Sequence, residues 1–268
     1  MSKYDVIYSV TAHESPECVW NLVENIKRYH NGKNVLVVFH INNYLKNTLP
    51  YYDSPRHIVL FNPEVVDKEK YTSDIFLAHL SNYRMIKNLQ FDFFCTLASN
   101  CLFVREPNWR LIEKETPGLF PGRSSEKFEI PDTTKAFWDE FVKNQHLVDL
   151  FTEHEVQPIL KNHEGTYYKK SVFNYIFWFY ILGRVDKKAF TNDVLAFEEV
   201  LFPSLEKYAT GVVSRRFCGL CPDITKDQLM ELIDTGGCPP LPGDWYNIVK
   251  VPRDINNELR KIINERSV

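Results

Sequence analysis

DVIYSVTAHESPECVWNLVENIKRYHNGKNVLVVFHI, residues 5–41, decides the fold. Asp5 to Ala12 reads as a buried strand, closed by the polar turn His13-Glu14-Ser15-Pro16. Ser15 suits a helix N-cap and Pro16 the first helical position, where a missing N–H costs nothing. Val19, Leu22, Val23 and Ile26 then recur at helical spacing as far as Arg28. After the turn at Asn31 to Asn34, Val35-Leu36-Val37-Val38-Phe39-His40-Ile41 is a continuous apolar strand of the kind covered on both faces. Strand, helix, strand is the opening unit of doubly wound α/β domains, which bind ligands outside the carboxyl ends of their strands. Those ends are His13-Glu14 and Asn42-Asn43.

Further along, His57 to Phe61 reads as a third strand, Asp74 to Leu89 as a helix and Phe91 to Leu97 as a fourth strand. Pro117 to Pro131, rich in Pro, Gly and charge, reads as a loop. Helical patterns follow around Lys135 to Phe151 and Lys170 to Leu182, then a loop-rich stretch from Cys218 to Gly243 and a last helix near Asp254. The economical architecture is one α/β domain, a Rossmann-type mixed sheet flanked by helices with a helical, loop-rich C-terminal part. The chain reads as a single domain, 1–268, with an α/β half, 1–105, and a second half, 106–268.

Composition removes several function classes. A net charge of -3 argues against a general nucleic-acid binder, which carries a basic stripe. The N-terminus shows no basic, apolar and small-residue tripartition, and no apolar run reaches about 18 residues. The expectation is a soluble, cytoplasmic protein with no membrane span. Cys18, Cys95 and Cys101 fit reduced core thiols. Cys218, Cys221 and Cys238 lack the second close pair or nearby His that a zinc site wants, so reduced thiols or a local disulfide are expected ahead of a metal. No Gly-x-Gly-x-x-Gly follows the first strand, and neither a P-loop nor a Gly-x-Ser-x-Gly elbow occurs. The missing glycine fingerprint makes a nicotinamide oxidoreductase a poor reading.

The run Val194 to Pro203 places Glu198 and Glu199 inside an apolar segment. On a helix, Val194, Phe197, Leu201 and Leu205 form a stripe that Glu198 joins, and Leu195 and Phe202 form a second that Glu199 joins. A Glu is rarely buried without a partner, so at least one acid should face a cleft or a cation. Pro203 removes the donor that would bond the carbonyl of Glu199, which predicts a kink or helix end beside that residue.

Several segments, in order, resemble one family: the inverting glycosyltransferases that include the core-2/I-branching β-1,6-N-acetylglucosaminyltransferases and the peptide O-xylosyltransferases. The resemblance is carried by Val10-Thr11-Ala12-His13-Glu14, Phe39-His40-Ile41-Asn42, Ala78-His79-Leu80-Ser81, Asp92 to Ser99, Gly165-Thr166-Tyr167-Tyr168 and Phe197 to Leu205. It spans roughly residues 4 to 205. This chain departs from the family pattern in having Asn42 for an Asp and in lacking Asp-Tyr-Pro after Leu97.

The resemblance implies a GT-A-like fold, with 1–105 as the nucleotide-binding half and 106–268 as the acceptor-binding and catalytic half, and transfer of xylose or N-acetylglucosamine from a UDP-sugar to a hydroxyl of a glycan or glycoprotein acceptor. Glu199 would be the catalytic base, with Glu198 orienting the acceptor or meeting solvent. The chain contains no Asp-x-Asp, which matches a family that neutralises the leaving diphosphate with basic side chains in place of a metal. Arg215, Arg216, Lys250 and Arg253 are the candidates for that role. His13 would sit at the donor site, Asn42 would hold the uracil edge, and Tyr71 or Asp74 would flank the base. Tyr167, Tyr168, Trp245 and Tyr246 would stack on acceptor sugars. A version without signal or anchor is of the kind a bacterium or large virus encodes for its own glycans. The competing reading is a non-catalytic nucleotide- or carbohydrate-binding protein on the same scaffold.

Overall fold

Alternation along β1 (Tyr4–Ala12) sends Val6, Tyr8, Val10 and Ala12 to one face of the central sheet and Ile7, Ser9 and Thr11 to the other. The computed structural model describes residues 3–12, 15–42, 45, 57–62, 64, 74–120, 135–184, 196–219, 225–235 and 246–266. After β1 come α1 (Pro16–Tyr29), β2 (Val35–Ile41), β3 (His57–Asn62), α2 (Asp74–Ile86), β4 (Phe91–Ala98), β5 (Cys101–Phe103) and α3 (Trp109–Glu115). Then follow α4 (Lys135–Lys143), α5 (Gln145–Glu153), β6 (Thr166–Lys169) and α6 (Lys170–Phe179), the last continued by a π turn at Tyr180–Arg184. The chain ends with α7 (Phe197–Thr210), β7 (Cys218–Gly219), α8 (Lys226–Thr235), β8 (Ile248–Lys250) and α9 (Glu258–Glu265).

The sheet order is β3-β2-β1-β4-β6, with β1 to β4 parallel and β6 antiparallel to β4, so the α/β class and the mixed sheet of the sequence reading hold. A small second sheet has the order β5-β8-β7. The halves 1–105 and 106–268 are therefore interleaved, since β6 completes the sheet of the first half and β8 pairs with its β5. One apolar layer joins the Val6 face of β1 to α1, α8 and the small sheet. The other joins the Ile7 face to α2, α6 and α7. Every residue of β2 is buried, as its unbroken apolar run requires.

Local signals explain most boundaries. Ser15 accepts from the Cys18 N–H with Pro16 in the first turn of α1, as the sequence predicts. The helical stretch predicted from Lys135 to Phe151 is divided at Asn144, whose side chain accepts from the Leu147 N–H and caps α5. The helix α8 lies in a stretch predicted as loop, and the last helix starts later than predicted, at Glu258, capped by Asn257. No helix among the described residues is long and apolar enough to cross a membrane.

The acid segment behaves differently from the expectation. The helix α7 starts at Phe197 and runs through Pro203 to Thr210, so Glu198 and Glu199 lie in its first turn rather than in its interior. The carbonyl of Glu199, deprived of its helical donor by Pro203, accepts instead from the Lys161 N–H at 2.8 Å. That replacement lets the proline sit inside the helix without leaving an orphaned acceptor. Phe202 anchors the helix, with ring centroids 4.7 Å from Phe76 of α2 and 5.5 Å from Phe173 of α6.

Candidate functional site

Chain order reverses in the sheet between β1 and β4, which is where an open α/β sheet offers its ligand crevice. At that edge the N–H of Ser99, just past β4, and its hydroxyl both donate to the Thr11 carbonyl at 3.1 Å. The strand that follows in space is not sequence-adjacent. The Val251 N–H donates to the Asn100 carbonyl at 3.0 Å, and the Asn100 amide donates to the Val251 carbonyl at 3.1 Å. Two residues later the Arg253 carbonyl accepts from the Cys18 thiol in the first turn of α1. The segment from Lys250 to Arg253 thus crosses the carboxyl ends of β4 and β1.

Residues 161–165 tie this edge to the acid turn. The Thr96 hydroxyl donates to the His163 carbonyl at 2.7 Å, and the Gly165 N–H donates to the Thr96 carbonyl at 2.8 Å. Asn162 donates its side-chain amide to one carboxylate oxygen of Glu199 at 2.8 Å. Glu164 makes an ion pair with the Lys250 ammonium and lies 3.8 Å from His163 Nδ1. Burial opposes charge on both partners of that pair, but their mutual attraction prevails. His163 and Lys250 hold the Glu164 carboxyl below its usual range, and Glu164 holds the Lys250 ammonium above its own.

Gly165 makes this turn possible. It adopts φ +72°, and a Cβ there would lie 2.5 Å from the Cys218 Cβ and 2.7 Å from the Cys218 N. Gly165→Ala is expected to destabilise the fold by roughly 3 kcal/mol, combining left-handed strain with overpacking against β7. Urea unfolding of the variant measures that loss; a change under about 0.5 kcal/mol would contradict it.

The two acids of α7 have different surroundings. Glu198 is 4% exposed, and its Oε2 meets no hydrogen-bond partner among the described residues. Burial raises its pKa to about 8, with Glu199 and Glu164 adding to the effect. The expectation that Glu198 meets solvent or orients an acceptor is therefore corrected, because its carboxyl is enclosed. Glu199 is half-buried, and burial also raises its pKa, with Glu164 adding and Lys250, Arg216 and Asn162 opposing. Of the pair, Glu199 alone combines access, an oriented carboxylate and raised basicity.

A cleft of about 540 Å³ opens beside this turn, lined by Glu115, Lys161, Val213, Ser214, Arg215, Arg216 and Tyr246. The two arginines follow the end of α7, where Gly211 takes the left-handed C-cap conformation at φ 81°, and Arg216 pairs with Thr166 in an isolated bridge. No side-chain hydrogen bond or ion pair engages the Arg216 guanidinium among the described residues. The Lys161 ammonium donates to the Ser214 carbonyl, and burial lowers its pKa despite the attraction of Glu206. Glu206 is buried and held by the Ser214 N–H at 3.0 Å and the Ser214 hydroxyl, with burial raising its pKa to about 7.

Three buried histidines lie behind the acid turn. His79 of α2 sits with its ring 5.3 Å from that of His163, and its Nδ1 meets the Ser9 hydroxyl at 2.8 Å. Burial lowers the pKa of His163 and of His40 to about 4 each, and that of His79 well below the ordinary value. These rings are neutral at physiological pH.

The remaining expectations divide. The structure puts Arg215 and Arg216 on the cleft wall and keeps Arg216 and Lys250 within electrostatic reach of Glu199, which is joined to the cleft through the Lys161 N–H rather than lining it, although Glu164 already holds the Lys250 ammonium. Tyr167 and Tyr168 are corrected. They are 0% and 1% exposed, the first bonded to the Tyr8 hydroxyl and the second packed against Phe173, so neither can stack on a sugar. Tyr246 lines the cleft but is 5% exposed, which leaves a ring edge rather than a stacking face. The side-chain oxygen of Asn42 accepts from the Leu45 N–H at 3.0 Å. Asp74 opens α2, with its side chain outside the described residues, as are His13, Tyr71, Trp245, Cys221 and Cys238 altogether. Cys18, Cys95, Cys101 and Cys218 are free and buried, and among the described residues no group of His, Cys, Asp and Glu is arranged to hold a metal.

Sequence reasoning missed Lys161, Asn162, His163 and Glu164. Their only signal was four polar residues in a row before Gly165, ahead of an apolar strand. Compared with known protein families and with curated proteins, the chain gives no match.

Proposed function

We propose that the protein is an inverting, UDP-sugar-dependent glycosyltransferase in which Glu199 is the general base. The observation that carries this reading is the placement of a half-buried, Asn162-oriented carboxylate of raised pKa beside a cleft lined by Lys161, Arg215 and Arg216. Supporting it, residues 162–166, which hold Glu199 through Asn162 and pair with Arg216 at Thr166, are bonded to Thr96 near the carboxyl end of β4.

In that reaction an acceptor hydroxyl oxygen attacks the anomeric carbon, and Glu199 takes the hydroxyl proton. The bond from the anomeric carbon to the diphosphate oxygen breaks, and UDP leaves with the electron pair. Desolvation of Glu199 raises its affinity for the proton, and general-base assistance of this kind contributes typically about 10²–10⁴-fold. Arg216 supplies a fork for the developing phosphate charge, and Lys161 a shorter point charge on the same wall. Xylose and N-acetylglucosamine are the proposed sugars, and a glycan hydroxyl the proposed acceptor.

One observation favours the competing reading of a non-catalytic binder. Lys161 and Lys250 are already engaged by Ser214 and Glu164, so part of the cationic set is committed within the protein. UDP-sugar turnover with and without acceptor, over UDP-xylose and UDP-N-acetylglucosamine, separates the two. Turnover that survives EDTA is expected. Full loss with rescue by manganese would contradict the metal-free mechanism, and UDP binding with no turnover across the panel would favour the binder.

A further inference from the structure

We infer that Leu119, Phe120 and Val212 form a contact for an anionic lipid bilayer, next to the mouth of the basic cleft. Their exposures are 49%, 61% and 54%, high for apolar side chains that share one edge. They share it because the Phe120 N–H donates to the Ala209 carbonyl at 3.0 Å, which lays the loop after α3 along the end of α7. Both strips run from the cleft to the ledge. Glu115 lines the cleft and Phe120 lies five positions later, while Val212 immediately precedes the lining residue Val213.

The presentation is built rather than incidental. The Gly211 N–H donates to the Lys207 carbonyl at 2.7 Å and turns the chain sharply out of the helix. The Val212 N–H then donates to the Thr210 hydroxyl at 3.2 Å, and that hydroxyl donates to the Val212 carbonyl at 2.6 Å. A backbone pinned at three points holds Val212 outward. Fixed apolar side chains in water lower the cost of inserting them into a membrane interface, since little conformational freedom remains to be lost.

Charge selects the surface. Arg216 lines the adjoining cleft, and exposed Lys114 stands on α3, whose exposed Glu113 is paired with Lys169 at 3.0 Å. Glu115 is the acid on the cleft wall. A basic margin beside inserted Phe and Leu matches a leaflet of anionic headgroups over acyl chains, where each cation near the surface adds to binding and salt weakens it.

The test is flotation of the full chain with phosphatidylcholine vesicles, with and without phosphatidylglycerol. Binding that requires phosphatidylglycerol and falls with added salt is expected. The Leu119→Ser/Phe120→Ser double variant should bind about tenfold less or weaker still, with its urea unfolding unchanged. Should that variant fail to fold, Val212→Ser and a blue shift of Phe120→Trp fluorescence on vesicle addition read the same contact. No flotation with either vesicle, equal flotation of the serine variants, or salt-insensitive binding to neutral vesicles would overturn the inference. So would a dimer in sedimentation that Phe120→Ser dissolves, since a second copy would then cover the ledge.

Discussion

Glu199→Gln is expected to lower sugar transfer by about 10²–10⁴-fold while UDP affinity stays within about twofold. The amide keeps the shape and the bond from Asn162 but cannot accept the acceptor proton. Binding survives because the cations on the cleft wall, not Glu199, face the phosphates in this reading. Steady-state kinetics beside UDP titration measures the split. Near-normal turnover by the variant would remove Glu199 from the role of base. A parallel loss of UDP binding would place it in the donor site instead. Asn162→Ala provides a graded companion, since it removes the bond that favours the ionised carboxylate and should shift the acid limb of the pH profile upward.

Glu198→Gln should stabilise the protein above neutral pH, by an amount on the order of several kcal/mol at about pH 8 and beyond. The carboxyl of Glu198 has a folded pKa of about 8 against an ordinary value of 4.5. Its contribution to stability is fully present below 4.5 and is lost as pH rises through 8, because the unfolded chain ionises first. Glu206, at about 7, acts in the same direction. The histidines act in the opposite one. His40 and His163 titrate near 4 in the fold against 6.5 when unfolded, so stability falls as pH drops from 6.5 toward 4. A dome in stability between the two limbs follows. Urea unfolding across pH 4–9 should show the fall in stability toward pH 8 reduced in Glu198→Gln and the rise between 4.5 and 6.5 made steeper, since the windows of Glu198 and the histidines overlap there. An unaltered alkaline limb would mean that the Glu198 carboxyl is ionised in the fold.

The strands were legible because both faces of the sheet are covered, which writes β2 as an unbroken apolar run. The cap of α1 was legible because Ser15 and Pro16 act locally. The acid turn was half legible. Two carboxylates in an apolar segment announced an unusual environment, but which one is enclosed depends on α7 starting at Phe197, and its N-cap, Ala196, makes no side-chain hydrogen bond that the sequence could signal. Pro203 pointed to the Glu199 carbonyl, whereas its substitute donor, Lys161, comes from a distant loop. Tyr167 and Tyr168 were misread because a strand between two apolar layers buries aromatics on both faces, as an exposed stacking platform would not. The loop from Lys161 to Gly165 was invisible because its role lies in contacts with β4, α7 and β8, none of them near in sequence.

Calorimetric titration of UDP into the wild-type chain and into Arg216→Ala, both in EDTA, is the most direct measurement. Metal-free glycosyl transfer requires wild-type binding that EDTA leaves intact and that Arg216→Ala weakens by about tenfold or more, the usual scale for losing a charge-assisted contact to phosphate. No heat of binding in the wild type, or equal affinity in the two chains, would contradict the assignment of this cleft to the nucleotide diphosphate.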